Sequence, residues 1–399
     1  MLFVEIRFCA YELFCETLWH SWYQGGCKLK TPPGSKKSSR LRKVITGMII
    51  MSVVLASFYG AMYLLTPYSG FARALIWMES DIKDYEKFSA RAINNAPHVF
   101  NFEKVDSSTQ SQYLGVLDRI ASKSSSPNTV THASFNELLI STQTTAFLII
   151  KDDQLIYENY FNGYKRDSTN TSFSVAKSFV SALVGIAIDE GLINSVDDPT
   201  TKTYYDPNLR AVALSAVIEE EPGKTFHYNT YNYLLLGITL ERATGMPVAK
   251  YMEERLWKPL GMEAPASWSL DSEASGFEKM ESGINARAID FAKFGKLYQN
   301  NGSNWNGQQI ISEKWIKTST NANSSTDPSS EYQFGWWIYP PQESVVGNNN
   351  NNHHFYAAGN FGQFIYIVPE EKLVIVRHGY DFGQVNWINL FESIGSATA

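Results

Sequence analysis

From residue 44 to residue 65 the chain runs for 22 residues without a charge, VITGMIIMSVVLASFYGAMYLL. About 20 apolar residues in a helix are enough to cross the hydrocarbon core of a bilayer, where only a helix can satisfy the backbone of a single segment. Just before this run, residues 28–43 hold seven Lys or Arg and no acid. The positive-inside bias then puts the N-terminus in the cytoplasm and everything after the run on the periplasmic side of the inner membrane. A secretory signal has a shorter apolar core of roughly 7 to 15 residues, so an uncleaved single-pass anchor is expected. The chain divides accordingly into a basic cytoplasmic segment (1–43), a transmembrane helix (44–65), a connecting arm (66–130) and a globular domain (131–399).

Charge and cysteine follow the same division. Residues 1–43 carry eight Lys or Arg against three Asp or Glu, and the remainder carries 26 against 37. An acidic exported domain argues against a nucleic-acid partner, because binding phosphate needs a basic surface. Cys9, Cys15 and Cys27 all precede the apolar run, so no disulfide framework is available to the exported part. Their spacing matches no zinc site, and no metal or cofactor is expected. The run Asn348 to Asn352 with His353 and His354 reads as a solvated loop. With 44% hydrophobic residues in 399, the fold is expected to hold by its core alone.

Within the exported part, Ser174-Val175-Ala176-Lys177 opens a long apolar helical pattern. Residues three apart share a helix face, so an amine is placed beside a hydroxyl at the helix start. Ser-x-x-Lys arises by chance roughly once or twice in a chain of this length, and a second copy exists at Ser80-Asp81-Ile82-Lys83. Ser80 sits among Glu79, Asp81, Asp84 and Glu86, as on a solvated face. Ser174 precedes Phe179, Val180, Leu183, Val184, Ile186 and Ile188, a pattern that buries the helix and desolvates the amine.

Around this motif the coarse pattern is strand, helix, strand. Residues 146–150 and 155–160 read as a hairpin turning at Lys151-Asp152-Asp153-Gln154. Helices are expected at 177–191, 231–244, 247–260 and 286–300, strands at 333–339, 363–368 and 373–378, and a terminal helix from about 385. Strands at both ends with helices between imply one mixed sheet with a helical lobe inserted, an α+β fold.

Two further elements complete a constellation. One is Tyr228-Asn229-Thr230, within Pro222-Gly223-Lys224-Thr225-Phe226-His227 and the helix that follows; the other is Gly359-Asn360-Phe361-Gly362-Gln363, leading into an apolar strand. With Asp197-Asp198-Pro199 and Phe334-Gly335-Trp336-Trp337, their order and spacing over residues 145–392 resemble the serine β-lactamase-like hydrolases, especially the class C and esterase branch that includes 6-aminohexanoate-dimer hydrolase. The resemblance implies a β-lactamase/transpeptidase-like fold: a mainly antiparallel five-stranded sheet flanked by helices, with an all-helical lobe.

Chemically, attack on a carbonyl needs a deprotonated serine, and Lys177 can take that proton if burial disfavours its charged form. A nearby phenol can share the proton and pass it on; by resemblance this is Tyr228, and which of the two is the base stays open. Charge on the carbonyl oxygen needs two N–H donors. The backbone of Ser174 at a helix start supplies one, and the resemblance assigns the second to Asn360. Gly359 and Gly362 would admit close approach of the substrate, with Gln363 and Trp336 as further binding residues. His378 reads as a capped core histidine, and of Trp336 and Trp337 one should face the core, since neighbouring strand residues face opposite ways.

Thr230 stands where the family has Asn, and the third element lacks Lys-Thr-Gly or His-x-Gly. A penicillin-type carboxylate therefore has no evident cation. The expected activity is a membrane-anchored serine hydrolase acting on a small-molecule ester or amide through a Ser174 acyl-enzyme. The alternatives are a penicillin-interacting peptidase or β-lactamase, or a non-hydrolytic sensor that keeps the pocket. Oligomeric state and natural substrate have no sequence signal.

Overall fold

In the computed structural model, which describes residues 37–123, 133–193, 206–215, 224–321, 329–339 and 353–398, the uncharged run lies within a single helix, Lys37–Leu65. Its segment Arg42–Leu65 has a mean hydropathy of 2.0 and buries none of its residues in the protein. Residues 1–60 and 61–399 form separate units. The three cysteines, Asp197-Asp198-Pro199, Pro222-Gly223 and the Asn348 to Asn352 run lie outside the described residues.

The second unit is built on a sheet of eight strands in the order β2-β4-β3-β12-β11-β10-β9-β8. These are β2 (Glu103–Lys104), β3 (Thr144–Lys151), β4 (Gln154–Tyr160), β8 (Tyr332–Gln333), β9 (Trp336–Tyr339), β10 (His354–Gly359), β11 (Gln363–Val368) and β12 (Leu373–Gly379). All neighbours are antiparallel except β2, which runs parallel to β4. The expected hairpin is β3-β4; Asp152 and Asp153 both have positive φ, 48° and 68°, the conformation a two-residue primed turn requires. The N- and C-terminal parts of the domain meet where β3 pairs with β12, Leu373 to Gly379 opposite Lys151 to Thr144.

Each central strand is buried on both faces, which is why β3 and β12 read as continuous apolar runs rather than as alternation. All eight residues of β3 are buried. Ala146, Leu148 and Ile150 enter the core shared with the helices Ala176–Asp189 and Ala288–Gln299. Phe147 and Ile149 enter a second core under the helices Ser107–Lys123, Phe135–Ser141 and Trp387–Thr398.

A second sheet of four strands, β1-β6-β7-β5, is formed by β1 (Ala90–Ile93), β5 (Asn170–Thr171), β6 (Ala266–Ser269) and β7 (Ile284–Ala286). The α+β class is as expected, with two differences in its parts. The main sheet has eight strands rather than five, because β2 and the short pair β8-β9 extend its edges. The inserted lobe is not all-helical, since β6 and β7 lie within it. The expected connecting arm, 66–130, supplies β1 to the small sheet and β2 to the large one from its described part, 66–123.

Phe147 is fully buried and meets the rings of Phe135, Tyr157, Trp387 and Phe391. Phe147→Ala is expected to destabilise the second unit by about 3 to 5 kcal/mol, read as a lower denaturant midpoint; an unchanged midpoint would contradict this account of the core.

Candidate active site

Ser174 lies on a tight 3-10 turn, Phe173–Val175, that leads into the helix Ala176–Asp189. The turn is clamped from the preceding residue. Ser172 donates its N–H to the Ile284 carbonyl at 2.8 Å, and its Oγ accepts the Ile284 N–H at 3.1 Å. Phe173 has φ 45°, a left-handed conformation that costs a bulky residue energy and persists only when the surroundings enforce it. Its ring packs edge-on against Phe361 at 5.1 Å, so the Ser174 turn touches the turn after β10.

One helical step on, Lys177 is 2% exposed. Its Nζ donates to Ser174 Oγ at 2.9 Å and to the Glu281 carbonyl at 3.2 Å. The same nitrogen lies 5.2 Å from the ring centroid of Tyr228 and 5.5 Å from that of Tyr233, a range in which ring quadrupoles attract a cation. Tyr228 is 40% exposed and stacks on Trp337 at 5.7 Å, with 18° between planes. Trp337 stacks in turn on Tyr356. The Asn229 side chain accepts the Tyr231 N–H at 2.9 Å, fixing the Tyr228 segment to the start of the helix Tyr231–Thr244.

Gly359 ends β10 directly against the Ser174 turn. A Cβ there would lie 2.6 Å from the Ser172 carbonyl oxygen and 3.1 Å from the Ser174 nitrogen, so only glycine lets the strand come this close. Asn360 follows, exposed, in the turn Asn360–Gly362. Gly335 plays a similar part on the other side: at φ +90°, its Cβ would sit 2.8 Å from the Lys177 carbonyl oxygen, and its own carbonyl accepts the Ser178 hydroxyl at 2.7 Å.

Behind Asn360 the turn is held by two fully buried side chains. Arg377 donates to the carbonyls of Phe361 (3.2 Å), Gly362 (2.7 Å), Thr142 (2.9 Å) and Asp381 (2.7 Å). Its guanidinium occupies the space a side chain at Gly362 would need. Gln363 donates to the carbonyls of Asn360 (3.0 Å) and Gly379 (2.8 Å) and accepts from His378 Nδ1 at 2.8 Å.

These contacts correct several expectations. Gln363 does not face a ligand: it is 2% exposed and its amide is committed to the fold. Trp336 is the core member of its pair, fully buried against Phe294, Tyr298 and Phe355, and Trp337 is the one beside Tyr228. His354 is not in a loop; it lies on β10, buried, with Nε2 3.4 Å from Glu392. Ser80 and Lys83 sit in irregular chain, off any helix. His378 is buried as expected. Sequence reasoning missed Tyr233, Tyr332 and Arg377. A lone arginine inside the apolar run of β12 was the available signal for the last; Tyr233, whose hydroxyl is 3.1 Å from that of Tyr332, had none among 22 tyrosines.

A buried lysine on a serine, at a helix start facing a glycine-ended strand, is a geometry that family comparison can place. Residues 194–378 match the β-lactamase family model. Over that stretch, just under half of its length, the chain is similar to the β-lactamase family. The match begins after the Ser174 turn, whose assignment rests on geometry. The 6-aminohexanoate-dimer hydrolase of Paenarthrobacter ureafaciens is 23% identical over 258 residues, 50% of this chain and 65% of that protein, so the aligned part falls just short of two thirds of the relative. A Bacillus anthracis structure provisionally assigned to the same hydrolases superposes with a TM-score of 0.64 at 23% identity, covering 79% of this chain and 92% of its own. EstCE1, described as a hydrolase with promiscuous acyltransferase activity, gives 0.52 at 12% identity, covering 73% and 98%. At such identities the structural likeness establishes the fold alone.

Two outcomes test this arrangement. Trp336→Ala should cost about 3 to 5 kcal/mol of stability, whereas Trp337→Ala, at a half-buried position, should leave the unfolding midpoint near that of wild type; equal losses would reverse the assignment. For His378, burial and then the neighbouring Arg377 hold the imidazole down at about 3. A depressed folded value means the unfolded chain binds the proton more readily, so this contribution is complete above about pH 6.5 and declines as pH falls toward 3. His378→Gln should therefore lose less stability than wild type between about pH 6.5 and 5, measured by denaturation; parallel slopes would show that His378 does not contribute.

Proposed function

We propose that the chain is a membrane-anchored serine hydrolase that cleaves a carboxylic ester or amide through an acyl-enzyme on Ser174. The observation that carries this is the 2.9 Å hydrogen bond from the buried Lys177 amine to Ser174 Oγ. The bond joins the hydroxyl to the one basic side chain within reach of it among the described residues, the geometry a serine nucleophile needs for proton exchange.

In the proposed reaction Ser174 Oγ attacks the carbonyl carbon while its proton passes to Lys177. The tetrahedral oxyanion is held by the N–H groups of Ser174 and Asn360, brought together by the approach of Gly359 to the Ser174 nitrogen. Collapse breaks the bond to the alcohol or amine, which leaves with the proton, delivered by Lys177 or by Tyr228 beside it. Water then attacks the acyl carbon by the same proton route in reverse, releasing the acid and restoring Ser174. Arg377 and Gln363 act as positioning residues, since they bond the carbonyls of the turn whose N–H faces the oxyanion. The aromatic wall of Tyr228 and Trp337 supports a substrate with an apolar or flat portion rather than one recognised by a cation.

The apolar segment Arg42–Leu65 supports anchoring, and the charge bias before it supports a periplasmic hydrolase unit. The test is hydrolysis of p-nitrophenyl esters by the full chain in detergent, with intact masses recorded during turnover. Wild type should show activity and an acyl adduct, Ser174→Ala neither, and Lys177→Met a rate lower by about 10² to 10⁴. Activity retained in Ser174→Ala would exclude the mechanism. A stable adduct with penicillin, without ester turnover, would favour the penicillin-interacting peptidase, and ligand binding unchanged in Ser174→Ala without turnover would favour a sensor.

A further inference from the structure

The short helix Gly70–Trp77, capped by Ser69 accepting the Ala72 N–H at 3.3 Å, is turned opposite to the way water would orient it. At 100° per residue, Tyr68, Phe71, Ala74, Leu75 and Met78 fall within one stripe about a third of the circumference wide. That stripe faces outward. Tyr68 is 75% exposed, Phe71 71%, Met78 62% and Leu75 41%, while the sole charged residue of the helix, Arg73, is 4% exposed and turned inward.

Arg73 fixes the helix to the second unit. Its guanidinium donates to the carbonyls of Thr66 at 2.7 Å and of Asp271, and lies 5.2 Å from the ring of Trp77, which packs edge-on on Phe88 at 5.0 Å. Ala72 beside it is fully buried. The outward stripe is therefore held in place by the buried face. In water the arrangement exposes large apolar side chains and dehydrates a guanidinium, both unfavourable.

The chain itself limits what the stripe can meet. Gly70 follows the end of the apolar helix, Leu65, by five residues, which reach at most about 18 Å fully extended. A surface helix tethered this closely to a bilayer-spanning segment, with an uncharged stripe holding two aromatic residues, suits the boundary between headgroups and acyl chains.

We propose that Gly70–Trp77 lies on the bilayer surface with Phe71, Leu75 and Met78 among the lipids, so that the hydrolase unit is held against the membrane at a fixed face rather than swinging on a flexible stalk. The proposal rests on the membrane-anchor reading and is independent of the hydrolytic one.

The test uses the full chain with Cys9, Cys15 and Cys27 replaced by Ser, carrying Phe71→Cys or Leu75→Cys labelled with a bimane fluorophore. The protein is reconstituted in phosphatidylcholine and phosphatidylglycerol vesicles, and quenching by brominated lipid is compared with quenching by aqueous iodide. The expected result is a blue-shifted emission lost to brominated lipid and insensitive to iodide. Quenching by iodide alone, in a chain that resists alkaline extraction, would overturn the interfacial helix while leaving the anchor intact. Protection from both quenchers would overturn it in favour of a protein cover such as a second copy. Release of the chain by alkaline extraction would remove the anchor reading, and the interfacial helix with it.

Discussion

The structure turns on the backbone clamp at Ser172, because there the two sheets are joined. Residues 170–171 pair with β7 in the small sheet, Ser172 continues the exchange with Ile284, and within two residues the chain packs beneath Gly359 at the end of β10 in the large sheet. A hydroxyl pinned between two sheets that share one core cannot drift with either. The left-handed Phe173 is the local cost of the sharp change of direction, and its ring contact with Phe361 couples the Ser174 turn to the turn that faces it.

Buried basic side chains in this unit hydrogen-bond largely to backbone carbonyls. Lys177 uses the Glu281 carbonyl, Arg377 uses four carbonyls, and Lys293 uses those of Phe100 and Gly261. Carbonyl dipoles offset part of the desolvation of a cation without adding a second charge that must also be dehydrated. Lys293 shows the balance: burial pulls it down to about 8 despite Asp290 and Glu263 nearby, while burial pushes Asp290 up to about 6. At Lys177 the same use of a carbonyl leaves the amine directed at the serine, with no carboxylate paired to it among the described residues. At Arg377 it converts a guanidinium into a brace for the turn bearing Asn360.

Much of this was legible in the chain. The helix at Ser174, the β3-β4 hairpin, the strands 363–368 and 373–378 and the helix Tyr231–Thr244 follow from apolar period and turn chemistry, which are local. β10 was not legible, because Tyr356, Ala357, Ala358 and Gly359 show neither a β-branched run nor clean alternation, and the strand forms by pairing with both β9 and β11. β6 and β7 were hidden for a similar reason: Ala266–Ser269 and Ile284–Ala286 are short and become strands only through their partners. The choice between Trp336 and Trp337 followed from pleat alternation as a rule, but its sense depended on which face of β9 met the helix Ala288–Gln299.

By itself the sequence determined the apolar segment, the α+β class, the pairing of Ser174 with Lys177 on one helical turn, and the glycines that permit close approach, because each depends on spacing along the chain. Tertiary structure alone decided that Gln363 and Arg377 support the turn bearing Asn360, that Tyr228 and Tyr233 border the lysine with Trp337 rather than Trp336 stacked on Tyr228, and that Arg73 points inward while Phe71 and Leu75 point out. Those outcomes depend on which surfaces of distant segments are brought together, and a residue's role then follows from what desolvates it rather than from its neighbours in sequence.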